Sequence, residues 1–422
     1  MRTKHFLAVL AGVALASCVT DKEYVPKLEE QAKIAFSSPV MYDSESGTRA
    51  GYYGEVGKHQ YTTGGTTYSY PRAESFHIFA RRHADDFAGW NNVNNEVSDI
   101  DNKIASYDSS VDGWAPKKNV SGNADPYYYW PAGKKLTFAA FSPANLEQEG
   151  NSNWLNTADS VSYGAEGLVI NNFQIPTTAD KQYDLMFSKR SVNKTRDDML
   201  HSADYYSGVP IEFQHALTSI HFSLKDESPA ETVVKLKKIS LYGVYDTADF
   251  KENIEETDPN KYIIGDNVNP AWTNHENLVL QNKAYVAFDA GGGDGLTFPA
   301  EAQYISNMLT LPGNEGAGEN NVLLVLPQTL SDNAKLIIDY TVNGTESYKI
   351  VNLKDARQKD NVHLAINEWE IGTSYTYRLL YSAEAASQDK VYFSPTAAGW
   401  KDAGVAVIDL AGVTTPPTGG GI

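Results

Sequence analysis

Several stretches of the chain carry residue types that do chemistry elsewhere. His275-Glu276 opens like the two-histidine motif that holds zinc on a helix, but the position of the second histidine is Val279, so the ligand pair is missing. Gly291-Gly292-Gly293-Asp294-Gly295 has the glycine density of a phosphate cradle. It runs into a strand-like segment with no following lysine, so a flexible hairpin loop is expected. The stretch from Asn91 to Lys103 is rich in Asn and Asp but lacks the glycine-turn spacing of a calcium loop, and reads as a solvated loop. His215 stands at a bend between two apolar runs with no nucleophile motif tied to it. A structural histidine bonding backbone is expected there. No catalytic residue, metal or cofactor is expected.

What remains is chemistry done to the chain. Gly47-Thr48-Arg49-Ala50 gives a trypsin-like protease an arginine followed by a small residue. It follows a strand-like segment, Ile34 to Val40, in which Ile34 and Phe36 alternate with smaller residues and Pro39 limits the reach. Asp43 to Thr48 has no apolar anchor, so an exposed tether is expected. Cutting between Arg49 and Ala50 would free a first strand from its own domain.

A second modification is written at the start. Arg2 and Lys4 precede an apolar run, Phe6 to Ala16, too short to span a bilayer, and Leu15-Ala16-Ser17 leads into Cys18. This reads as a bacterial secretory signal over residues 1–17 with a lipobox, in which the Cys18 thiol carries diacylglycerol. Cys18 is the only cysteine among 422 residues, so no disulfide is expected and stability must come from packing. Two or more acyl chains would hold the precursor on a membrane. Val19 to Glu23 resembles the short acidic surface-export signal of Bacteroidetes lipoproteins.

Net charge is −18, which argues against nucleic acid or anionic lipid as a partner of the body of the protein. With 41% apolar residues there is chain for two domains. Past Ala50 the reading is β throughout, from 26 tyrosines, short Val/Ile/Phe/Tyr runs and frequent Gly, Asn and Asp. Phe76, Ile78 and Ala80 share one face of a strand, as do Leu136, Phe138 and Ala140 of another. Tyr127 to Pro131, Asp184 to Phe187, Val209 to Leu224 and a series of segments between Lys237 and Tyr381 continue the pattern, which is that of all-β sandwiches.

Taken in order, the motifs resemble one family. After the lipobox come Thr48-Arg49-Ala50, then Tyr128-x-Trp130-Pro131 with Leu136-x-Phe138-x-Ala140-Phe141-x-Pro143. Val209-Pro210-Ile211-x-Phe213-x-His215-Ala216-Leu217 follows, then Leu326-Pro327-Gln328, Trp369-Glu370-Ile371-Gly372 and Trp400. The sequence of these pieces is similar to the Bacteroidetes fimbrillin family, the subunits of type V pili.

The resemblance implies two tandem transthyretin-like Greek-key β-sandwich domains, over residues 50–226 and 227–422, behind a propeptide over 18–49, and no catalysis. It implies a precursor carried as a lipoprotein to the outer membrane and cut at Arg49 by an arginine-specific protease of gingipain type. The first strand then leaves, and the C-terminal segment of another subunit fills the groove. That segment comprises Val391 to Ser394 and the strand carrying Val405, Val407, Ile408 and Leu410. Head-to-tail contact of this kind does not close and gives a filament. The partners implied are other pilin subunits, the protease, the outer membrane through lipid, and a host or bacterial surface ligand. The tail from Ala411 to Ile422 extends beyond the expected end of a shaft subunit and leaves a tip or accessory position open. A rival reading is a surface glycan-binding lipoprotein, whose seven Trp and many Tyr would stack sugars; a glycoside hydrolase would need two carboxylates across a cleft.

Overall fold

The computed structural model describes residues 32–37, 40–42, 49–51, 61–63, 66–68, 75–96, 100–111, 113–122, 124–142, 144, 161–177, 182, 184–197, 208–255, 269–305, 323–355, 366–382 and 401–409. Nearly every named element among them is a strand, with single 3₁₀ turns at Gln281–Lys283 and Leu353–Asp355.

The first sheet has nine strands. From one edge it runs Arg49–Gly51, Val40–Tyr42, Glu212–His215, Met186–Ser188, Lys135–Ser142, Ser75–His83, Lys103–Asp108 and Gly113–Pro116, with Ser191–Lys194 also paired to Lys135–Ser142. The pairing then turns back on itself. Phe36 bridges Trp114 antiparallel on one side and Val209 parallel on the other, and Val209 leads straight into Glu212–His215. The segment Ala32 to Ser37 is therefore the stave that closes a ring of strands into a barrel. Phe36, Phe76, Phe138, Val209 and Phe213 meet in one core cluster inside it.

The expected inward residues Phe76, Ile78, Ala80, Leu136, Phe138 and Ala140 all belong to that cluster. Alternation suggests one buried face, yet both faces of these strands are covered. Phe79 and Phe141 point the other way, into a second cluster with Leu168, Ile170 and Phe250. Those three come from a four-stranded sheet ordered Ala271–Leu278, Tyr245–Lys251, Gly167–Gln174 and Val161–Gly164.

The other half of the molecule has two five-stranded sheets. In one, Thr218–Asp226 pairs in parallel with Thr373–Tyr381, which pairs in parallel with Lys401–Asp409. In the other, Val234–Tyr242 lies between Lys335–Val342 and Tyr285–Asp289.

The expected division at 226/227 meets a chain that crosses between the halves more than once. Glu212–His215 and Thr218–Asp226 lie in different sheets, so the bend after His215 is a passage from one half to the other. Val234–Tyr242 turns at Gly243-Val244 and returns as Tyr245–Lys251 beside Gly167–Gln174. Gly243 has φ +75°, and a Cβ there would lie 1.8 Å from the Asn333 carbonyl oxygen, so only glycine fits this passage. The buried Gln182 ties the halves further: Leu324 N–H donates to its Oε1 at 2.8 Å and its Nε2 donates to the Leu324 carbonyl at 3.0 Å. The second core cluster consequently runs through both halves without a break.

Two local expectations change. Tyr285–Asp289 and Leu296–Thr297 both pair with Val234–Tyr242, one after the other, so the glycine run between them is an excursion in a broken strand and not a hairpin. Tyr127 to Pro131 makes isolated bridges at Tyr127 and Tyr129 and no named strand, because its neighbours are single short segments.

Candidate functional site

The closing stave has the most specific surroundings in the first half. Its backbone is bonded on both sides. Ile34 N–H donates to the Tyr128 carbonyl (2.8 Å), Phe36 N–H to that of Trp114 (2.8 Å) and Trp130 N–H to that of Ala32 (2.9 Å). On the opposite side Val209 N–H donates to the Ala35 carbonyl (2.9 Å) and Ser37 N–H to the Val209 carbonyl (3.0 Å). Ile34 is 2% exposed and Phe36 0%, both inside the barrel, while Ala35 between them is also buried, at 7%, outside that core cluster. Phe36 meets Phe76 and Phe138 edge-on, with ring centroids 5.8 Å and 5.2 Å away. Lys33 lies outside, its Nζ 3.8 Å from the centre of the Tyr127 ring.

The wall on the Val209 side is built for close approach. Gly208 has φ +113°, and a Cβ there would stand 2.5 Å from the Phe36 carbonyl carbon and 2.6 Å from Ser37 N. Trp114, Tyr128, Gly208 and Val209 thus form the slot. Their role was hidden in the sequence because each partner lies far from Phe36 along the chain; Gly208 before Val209-Pro210 is the one local signal of a tight backbone contact.

Beyond the stave, Val40–Tyr42 pairs with Glu212–His215 and folds back on Arg49–Gly51, with Tyr42 opposite Arg49 and Met41 opposite Ala50. Arg49-Ala50 therefore lies in the outermost strand of the first sheet, extended and paired to Val40–Tyr42. Residues 43–48 between the two strands lie outside the described residues, as do Cys18 and Leu410. Val405, Val407 and Ile408 lie in Lys401–Asp409, at the far end of a sheet in the other half. The structure does not bring that strand into the sheet that holds Arg49.

The described histidines and buried acids have separate surroundings. His215 Nδ1 is 2.5 Å from Oδ2 of Asp184, an acid 31 residues earlier, with both side chains buried. His275 Nε2 lies 2.8 Å from the Pro327 carbonyl oxygen, from a strand. Ser219 Oγ is 3.3 Å from His221 Nε2, but the serine hydroxyl donates to Ser374 Oγ and both residues are buried. Burial lowers the His221 imidazole to about 4. Glu252 is fully buried, its Oε2 accepting from Leu168 N–H at 2.8 Å. Burial pushes its carboxyl up to about 7 against the opposing pull of Arg190. In the Asn-rich stretch, Asn95 Nδ2 donates to the carbonyls of Gly89 and Trp90, which holds the loop's own backbone. Among the described residues no group of three or more His, Cys, Asp or Glu is arranged to hold a metal ion.

Residues 72–400 match a family model described as fimbrillin-like. Among solved structures, a fimbrial protein from Bacteroides vulgatus is 18% identical over 73% of this chain and 88% of that one, with a TM-score of 0.43. A candidate cell adhesion protein from Bacteroides uniformis is 13% identical over 84% of this chain and 94% of that one, with a TM-score of 0.41. Neither structure is similar enough to carry an argument about this chain. No curated protein matches it.

Proposed function

The chain belongs to the fimbrillin-like family, and on that premise we propose that it is a non-enzymatic structural subunit of cell-surface fimbriae, assembled by exchanging its first strand for one from a neighbour. The precursor leaves the cell interior on its signal, carries lipid on Cys18 and rests on the outer membrane. An arginine-specific protease cuts between Arg49 and Ala50, and the C-terminal segment of another copy, from Val391 through Val405, Val407, Ile408 and Leu410, takes the vacated place.

One observation carries this reading: the stave is bonded to the rest of the barrel on both sides and fills it with Ile34 and Phe36, yet it lies before Arg49, so a cut there severs it, together with Val40–Tyr42, from the chain that surrounds it. Removing it leaves unpaired backbone along two walls and an apolar slot between Trp114 and Val209, a template for any complementary strand. The larger core cluster contains none of the stave's residues, so the remainder of the protein has a core to stay folded on.

The test is Arg49→Ala in the intact chain expressed on cells. It is expected to leave an acylated Cys18 N-terminus and no filaments, whereas the unaltered protein begins at Ala50 and is recovered in filaments visible by electron microscopy. Filaments assembled from uncut Arg49→Ala protein would overturn the proposal.

A further inference from the structure

The strand Thr218–Asp226 alternates core residues with polar ones that are just as buried. Ile220, Phe222 and Leu224 lie in the large cluster, while Ser219, His221 and Ser223 on the opposite face are buried too, as are Ser374 and Thr376 on the neighbouring strand. The hydroxyls are used across this one pair of strands. Ser219 Oγ donates to Ser374 Oγ at 3.0 Å, and Arg378 Nε donates to Ser223 Oγ at 3.3 Å. Thr218 Oγ1 donates to the carbonyl of Glu370, just ahead of Thr373–Tyr381, at 2.7 Å. The backbone adds eight parallel register pairs, from Ser219 opposite Ser374 to Asp226 opposite Tyr381. At the two ends Gly372 N–H donates to the Leu217 carbonyl and Glu227 N–H to that of Tyr381, each at 2.8 Å. On the core face Phe222 stacks on Tyr377, with ring centroids 6.0 Å apart.

The path of the chain gives this pair a task. Thr218–Asp226 begins where the chain arrives from the barrel, directly after Glu212–His215 and close behind Val209 in the slot wall. Its partner starts at that same end, since Gly372 is bonded to Leu217, and runs in the same direction. Tyr381 therefore lies at the end remote from the barrel. On the strand-exchange reading above, on which this inference rests, a neighbour holds the subunit by its slot, and the subunit's own C-terminal segment holds the next one. Tension then enters at Val209 and leaves beyond Tyr381. We propose that the pair of Thr218–Asp226 and Thr373–Tyr381 is the load-bearing element of the subunit, which that tension draws past each other in shear.

In shear, the bonds across a pair of strands are loaded together and must yield together, whereas strands pulled apart from one end open one bond at a time. Hydrogen bonds between parallel strands slant along the strand direction and so lie partly along the pull. Burial keeps water from replacing each bond as it stretches, which accounts for hydroxyls at positions where apolar side chains would also pack. Everything from Ser228 to Ile371 is an excursion of the chain between the two strands, and it carries none of the load while they hold. Lys401–Asp409 is parallel as well, but it follows Tyr381 in the chain and on the same reading passes load to the next subunit.

The test pulls single uncut chains in optical tweezers, with Cys18→Ser so that introduced thiols are the only attachment points. Handles at Gln214→Cys, on the barrel wall, and Ser382→Cys load the pair in shear. Handles at Gln214→Cys and Glu370→Cys take the second strand by its barrel end and peel it. The first geometry is expected to give the higher rupture force. Ser219→Ala together with Ser374→Ala removes both partners of one buried bond, and is expected to speed rupture at fixed force in the first geometry about fivefold, with β circular dichroism unchanged. Equal rupture forces in the two geometries, or no change with the double variant in shear, would overturn this assignment and leave strand exchange standing. Because the chain is uncut and alone, a failure of strand exchange shows itself separately, as missing filaments alongside an intact difference between the two geometries.

Discussion

The segment from Ala32 to Ser37 and the strand Lys401–Asp409 lie near opposite ends of the chain, and the fold holds them in different ways. The first is hydrogen-bonded along both sides and closes a ring. Among the described residues the second is bonded along one side, in parallel, at the end of a sheet. Parallel pairing is slightly weaker per residue, and an edge has half the partners. The two also differ in what they belong to. The stave's side chains lie in a cluster confined to the barrel, while the larger cluster spans both halves and owes nothing to it. A segment can therefore be tightly held and still be separable, provided that the core it completes is not the core that keeps the molecule together.

The largest expected effect follows from breaking that arrangement at the stave. Burial of Ile34 and Phe36 is worth about 1.5–3 kcal/mol each, so releasing residues 1–49 should lower stability by about 3–6 kcal/mol. Truncation before Lys401 should cost clearly less. Denaturant midpoints of the cut, truncated and intact proteins measure both, and equal losses would erase the contrast between the two segments. Phe36→Ala sharpens the same point with a single side chain. In the uncut chain it should cost about 3–5 kcal/mol, as for other buried phenylalanines. Once the protein has been cut and the released piece washed away, variant and unaltered samples should unfold at the same midpoint.

Part of this was legible from residue order. The alternation of Phe76, Ile78 and Ala80 gave the barrel face of its strand correctly. What alternation does not report is whether the opposite face is also covered, so the burial of Phe79 and Phe141 in a second cluster was not foreseen. Turn residues announce that a strand ends but carry nothing about where the chain goes next. For that reason the bend after His215 was legible, while its role as a passage between halves was not. Tyr245–Lys251 and Ala271–Leu278 escaped notice because more than half of their positions are polar, and Gly167–Gln174, which Tyr245–Lys251 pairs with, lies far away in sequence. The slot shares this difficulty, since Trp114, Tyr128 and Val209 meet Ile34 and Phe36 only through the closed ring.

Glu252 offers a way to ask whether the opened barrel disturbs its neighbour. It lies outside the stave's cluster, against Leu168 N–H and Gly167 in the four-stranded sheet. Its carboxyl rises in the folded protein from 4.5 to about 7, chiefly by burial, with Arg190 pulling the other way. A raised value means that the neutral acid is the favoured folded form. Stability from this group is fully present below pH 4.5 and is lost as pH rises through about 7, about 3 kcal/mol in all. Glu252→Gln retains an acceptor for Leu168 N–H and should remove that slope, stabilising the protein at pH 8. If the two clusters are as separate as they look, the same slope persists in the cut chain; its disappearance on cutting would mean that the stave holds both.

Gly208→Ala gives the finest discrimination. In the uncut chain the new Cβ would press on the Phe36 and Ser37 backbone at 2.5 and 2.6 Å, contacts that no side-chain rotation relieves. The residue would also keep φ +113°, a conformation that costs an L-residue about 1–3 kcal/mol. After the cut the stave is gone and only the second penalty remains. Comparing the loss of denaturant midpoint before and after cleavage therefore separates the backbone strain from the close approach. A larger loss in the uncut chain would identify Gly208 as the residue that lets a strand lie flush against Val209, and filament formation, which needs the same approach by an incoming strand, should weaken in step. Equal losses would mean that the glycine serves its own turn alone, and the slot would then tolerate a broader class of strands than the resident one suggests.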